Sequence, residues 1–145
     1  MKYLLVTLLL SAMSSYGSNN HGLLTVTTSG YNNDNGKAVV LLFRKDDKIP
    51  SSPFKVYTAK ISNKKAVLEI ENLAFDNYAI ILHHDENGNG KIDHLMGMPN
   101  EQLGYSNNWK LGFTTGMPTF SKLKFQFSAI KHTQEIGITY KLNKN

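Results

Sequence analysis

The residues best suited to chemistry lie in one run, His84-Asp85-Glu86-Asn87-Gly88-Asn89-Gly90-Lys91-Ile92-Asp93. Short oxygen-bearing side chains fall at every second position, Asp85, Asn87 and Asn89, and Asp93 completes the run. Hard cations such as Ca²⁺ take about six to eight oxygen ligands at roughly 2.3–2.6 Å. A loop supplies them when alternate residues turn inward and glycine permits the bend. Asp85, Asn87, Asn89 and Gly90 match the first, third, fifth and sixth positions of the EF-hand loop pattern. The Lys91 carbonyl takes the seventh position and Asp93 the ninth. The twelfth, where the pattern places a bidentate Glu, is Met96. The flanks read as strand, not helix. The expectation is a Ca²⁺-binding loop in a β context, with metal ligands Asp85, Asn87, Asn89, Lys91 and Asp93. The bland alternative is a solvated Asn/Gly turn, since those residues dominate turns.

Glu101 is the candidate for the carboxylate that the loop lacks, with Asp34 as a rival from another loop. His83, His84 and His94 bracket the run, and histidines can hold Zn²⁺ or Cu²⁺. Adjacent strand residues point to opposite faces, so His83 and His84 do not readily chelate one ion. Oxygen donors dominate, which favours a hard cation. Farther on, Tyr105, Asn107, Asn108 and Trp109 mix aromatic faces with amides, a combination suited to carbohydrate or peptide binding. The alternative is that Tyr105 and Trp109 plug the end of the core. No Cys nucleophile, Gly-x-Ser-x-Gly elbow, His-Glu-x-x-His motif or phosphate-cradling glycine loop occurs. The chain therefore reads as a binding or structural module and not as an enzyme.

These residues need a frame. The chain has 145 residues and no Cys, enough for one core without disulfides. Met1-Lys2 precedes an apolar run over residues 3–13, too short to span a bilayer. Ser15-Tyr16-Gly17 places small residues where a signal peptidase reads. The expectation is a signal peptide over 1–17 and a periplasmic or secreted domain over 18–145, with no membrane span left. No Cys follows the apolar run to carry a lipid. Removing Lys2 takes the formal net charge from +5 to +4. Lysines such as Lys55, Lys60, Lys64, Lys65, Lys122 and Lys124 are scattered along strand patterns, which protects sheet edges. No basic cluster with interleaved aromatics marks a nucleic-acid surface.

Past the leader, short β-type runs alternate with turns. Strands are expected at 23–29, 38–44, 54–61, 66–71, 78–84, 121–128 and 135–142, with a long irregular segment over 94–119. About seven such strands predict an all-β, antiparallel immunoglobulin-like or prealbumin-like β-sandwich. The turn Leu73-Ala74-Phe75-Asp76-Asn77-Tyr78 has the form of a corner over which a Tyr packs back. Loops at the ends of such a scaffold are held rigidly, so the 85–93 loop and the irregular segment after it are expected to form one surface.

The order of motifs resembles a known family. Tyr78-Ala79-Ile80 and the Asp85 run are followed by Gly97-Met98-Pro99-Asn100-Glu101. Gly104-Tyr105-Ser106-Asn107-Asn108 and Met117-Pro118-Thr119-Phe120 come next. This is similar to the bacterial secreted family catalogued as domain of unknown function 2141, across nearly the whole mature chain. The resemblance implies an exported β-sandwich with no established activity. It also implies that Glu101 and the 104–108 run surround the same site. A glycan or a protein at the cell envelope is the kind of partner such a module would meet.

Overall fold

The computed structural model describes residues 20–140, so the leader expected over 1–17 lies outside the described residues. Two kinds of strand build the fold. β1 (His21–Ser29) and β4 (Lys65–Ala74) alternate. Leu24, Val26 and Thr28 of β1 and Ala66, Leu68 and Ile70 of β4 are buried, while Lys65, Val67, Glu69 and Glu71 are exposed. Such period-two burial is the mark of a sheet with one dry face. β2 (Lys37–Phe43) and β5 (Asn77–Asp85) do not alternate. Every residue after Lys37 in β2 and after Asn77 in β5 is buried. A strand becomes apolar throughout when both of its faces are covered.

The remaining strands are β3 (Lys55–Lys60), β6 (His94–Leu95), β7 (Met98–Pro99), β8 (Leu103–Tyr105), β9 (Phe125–Gln126) and β10 (Thr133–Tyr140). One hydrogen-bonded path runs β3-β2-β5-β8-β10-β1-β4, with β9 added to β5 and β6-β7 as a separate hairpin. All pairs are antiparallel except β1 with β10. The two ends of the path, β3 and β4, are consecutive in sequence and meet at the turn through Asn63 and Lys64. The all-β expectation holds. In place of two stacked, wholly antiparallel sheets, the strands form one sheet rolled nearly to closure, with one parallel pairing.

The inner core contains Leu24, Val26, Val40, Leu42, Ile80 and Leu82. A second core lies on the outer face of the central strands, built from Val39, Leu41, Phe43, Ile81, Leu103 and Tyr105. The chain between β5 and β9 covers it, with Leu123 and Ile92 packed against it. This explains two departures from the expected strands. Residues 121–128 alternate, yet Phe120–Leu123 is a helical turn. Leu123 fills the outer core and Phe127 the inner one, so the segment crosses between layers instead of lying along one. β8 falls inside the segment expected to be irregular. It is three residues long, and a Cβ on its Gly104 would lie 2.5 Å from the Gly137 carbonyl oxygen, so glycine allows β8 and β10 to meet. The expected corner is present, since Tyr78 donates its hydroxyl hydrogen to the Ala74 carbonyl at 3.0 Å.

Ser106 continues β8 by side chain. Its Oγ accepts from the Ile80 N–H at 2.8 Å and donates to the Leu123 carbonyl at 2.6 Å, at 1% exposure. Ser106→Ala strands a buried donor and a buried acceptor, and its expected cost is about 1–3 kcal/mol. A lower urea midpoint at unchanged m-value is the corresponding measurement.

Candidate metal centre

β5 delivers Asp85 to the end of the sheet at 2% exposure. Its Oδ1 accepts from the Asn89 N–H at 3.0 Å and its Oδ2 from the Gly90 N–H at 2.9 Å. Asn87 Oδ1 accepts from Asn89 N–H and Asn89 Oδ1 from Lys91 N–H, at 3.0 and 2.8 Å. These Asx-type turns are what Asp and Asn at alternate positions favour. Gly88 and Gly90 take φ of 77° and 73°, the left-handed turns that glycine permits without strain. Asp93 closes the loop: its two carboxylate oxygens accept from the side-chain amides of Asn87 at 2.7 Å and Asn89 at 2.9 Å.

Asp85, Asn87, Asn89 and Asp93 are thus tied into one hydrogen-bonded loop. All their acceptor atoms are oxygens, and a carboxylate or amide oxygen that accepts one hydrogen bond keeps a second lone pair. That donor set fits a hard cation, with the Lys91 carbonyl as a further main-chain donor. Among the described residues, no three His, Asp or Glu side chains gather closely enough to hold a metal by themselves. Half of any shell here would come from amides, a carbonyl and water. Met96 has φ of 52° at the tip of the β6-β7 hairpin and is 96% exposed, so the twelfth position points into solvent.

Glu101 lies across the cleft. Its Oε2 is 2.9 Å from His83 Nδ1, and both side chains are buried. Burial and the nearby charges of Asp85, Asp93 and Glu86 push its carboxyl up to about 7. The Asp93 backbone N–H, bonded to it, acts the other way. Burial lowers His83 to about 4. The next residue repeats the pairing on the opposite side. Gln102 Oε1 lies 3.0 Å from His84 Nδ1 and accepts from the Asn32 N–H at 2.9 Å, while His84 Nε2 meets the Asn35 carbonyl at 2.6 Å. The two histidines therefore serve separate partners, as their opposite faces require. Asn33 reaches Glu86 at 2.9 Å from the same 32–36 loop. The cleft between them is about 210 Å³, and Asn32, Glu86, Asn87, Asp93 and Glu101 line it.

Three other candidates stand apart. Asp34 uses both oxygens to cap the Asn63 and Lys64 N–H groups at 2.8 and 2.7 Å. His94 sits exposed in β6. Tyr105 is buried, with Trp109 edge-on to it at 4.7 Å between ring centroids. Asn107 donates to the Lys122 carbonyl at 3.0 Å. These aromatics close the outer core and present no paired outward faces. The part played by Asn32, Asn33, Asn35 and Gln102 was missed from the sequence. Its available signal was two polar pairs, His83-His84 and Glu101-Gln102, each beside an apolar strand.

The architecture and its acidic end define a class: an all-β bacterial module with a polar cleft at one end of its sheet. A family profile described as an uncharacterised protein conserved in bacteria, domain of unknown function 2141, matches residues 26–135, and the chain belongs to that family. No curated protein and no solved structure matches it.

The Glu101–His83 pair gives a pH signature. Between 4.5 and about 7 the folded Glu101 holds a proton that the unfolded chain has released. Its contribution is complete below 4.5 and is lost as pH rises through about 7. His83 acts oppositely, and its contribution is lost as pH falls from 6.5 towards about 4. Glu101→Gln removes only the first effect. In chelator, the melting temperature of the variant relative to wild type is expected to rise between about pH 5.5 and about pH 8. A difference independent of pH would show that Glu101 titrates normally in the fold.

Proposed function

We propose that this chain is an exported, non-enzymatic β module whose 85–93 loop binds Ca²⁺ and stiffens one end of the sheet. The observation that carries this reading is the hydrogen-bonded ring of Asp85, Asn87, Asn89 and Asp93, beside which burial first, and the charges of Asp85, Asp93 and Glu86 after it, raise the Glu101 carboxyl to about 7. The chain has 16 Lys and Arg residues. Among the described residues, none of them forms an ion pair with Asp85, Asp93 or Glu101. A divalent cation would relieve the repulsion among these carboxylates. Asp85, Asn87, Asn89, Asp93 and the Lys91 carbonyl are the proposed ligands, and Glu101 joins on losing its proton.

The immunoglobulin-like or prealbumin-like character of the scaffold belongs to the same reading, supported by the Tyr78 corner. Export to the periplasm or beyond rests on the apolar run over 3–13. N-terminal sequencing of the exported protein, expected to begin near Ser18, tests it.

Sites with few carboxylates that work outside the cell bind Ca²⁺ at about 10⁻⁴–10⁻³ M. Millimolar Ca²⁺ is expected to raise the melting temperature, and Asp93→Asn to remove most of the rise. If Glu101 joins the shell, binding at about pH 6.5 releases its proton, because a ligand must be deprotonated. Calorimetry in two buffers of different ionisation enthalpy reads that proton, and Glu101→Gln should abolish the release and weaken affinity. Identical melting curves in calcium and in chelator would sink the proposal.

A further inference from the structure

The outer face of the sheet holds a second, larger cavity of about 640 Å³. Its floor is Ile81, Leu103 and Tyr105, and its walls include Met98, Phe113 and Met117. We propose that it binds one small apolar molecule carrying a single hydrogen-bond-accepting group, of the chemical type of a long-chain alcohol. The hydrocarbon lies against the sheet and the acceptor meets the Tyr105 hydroxyl.

Three observations carry this. The first is size. Ligand cavities run to about 300–1,000 Å³ with mostly apolar linings, and this one falls in that range. The second is Tyr105. It is 4% exposed, and burial raises its hydroxyl pKa. The hydroxyls of Tyr31, Tyr78 and Tyr140 each donate a hydrogen bond. Among the described residues, that of Tyr105 makes none. Tyr105 lines the cavity with this unpaired hydroxyl, which gives an apolar guest a polar handle beside Tyr140 and His94. The third is the roof. Lys122 Nζ donates to the carbonyls of Thr115 and Met117 at 2.7 and 2.9 Å, and Thr115 Oγ1 accepts from the Gly112 N–H at 2.9 Å. These bonds hold the 112–117 turn over the cavity. Phe113 remains fully exposed at the mouth and Met117 largely so. Ile81, Leu103 and Tyr105 on the floor are buried, which favours a small molecule over a docked protein.

Trp109 is the only Trp of the chain and packs on Tyr105, so its emission reports on the site. 1-Dodecanol, titrated into the intact protein, is expected to bind one to one with a change in that emission. Tyr105→Phe should weaken dodecanol about threefold to tenfold, the worth of one hydrogen bond, and leave toluene, which has no acceptor oxygen, unaffected. Met98→Trp, at a partly exposed wall position, should weaken both ligands by calorimetry because it fills volume. The proposal is overturned by any of four results. Neither ligand binds up to its solubility limit. Dodecanol adsorbs without one-to-one saturation. Tyr105→Phe weakens both ligands equally. Met98→Trp changes neither.

Discussion

The structure depends on one constraint: the end of β5 is buried while its sequence turns polar. Residues 78–82 of β5 are apolar and fully covered, but His83, His84 and Asp85 are covered too, at 1–2% exposure. A buried polar group without a partner costs more than its hydrogen bond would have gained. Three consecutive polar residues therefore demand three sets of partners on alternating sides. Glu101 and Gln102 meet the two histidines, the Asn89 and Gly90 amides meet Asp85, and the 32–36 loop fills in around His84. Gly36 is part of that closure, since a Cβ there would run into the Asp85 carbonyl and Glu86 backbone. The acidic cleft follows from this arrangement, because satisfying β5 gathers its neighbours' carboxylates in one place.

Much of this was legible in the sequence. In the sequence the run over 38–44 is apolar almost throughout, as a central strand is, and Ala66, Leu68 and Ile70 fall on one face of the 66–71 run. The loop announced itself through the spacing of Asp85, Asn87, Asn89 and Asp93, which the structure ties together. Long-range partnerships were not legible. Whether Leu123 and Phe127 share a face depends on a second hydrophobic layer that periodicity does not reveal. β8 has only three residues, one of them Gly104, and carries no pattern of its own; the flanking β5 and β10 define it. The sequence brought Glu101 near the loop but did not pair it with His83, which lies eighteen residues away. The 32–36 loop lies about fifty residues from the site it flanks, and Asp34 marked it only as a rival ligand, not as the partner of His84.

The same alternation that built the strands also divides the outer segment. Ile92 and His94 line the apolar cavity, while Asp93 between them lines the polar cleft. An extended chain turns consecutive side chains to opposite sides, so three residues form a wall with carbon on one side and carboxylate on the other. The Asn100 N–H bonds the Asp93 carbonyl at 2.7 Å, and β6 pairs with β7 beyond it, so this wall is braced at its base. On the returning chain the boundary falls between Gln102, which lines the cleft with Glu101, and Leu103, which lies on the cavity floor. The two spaces are consequently the two faces of one short ribbon.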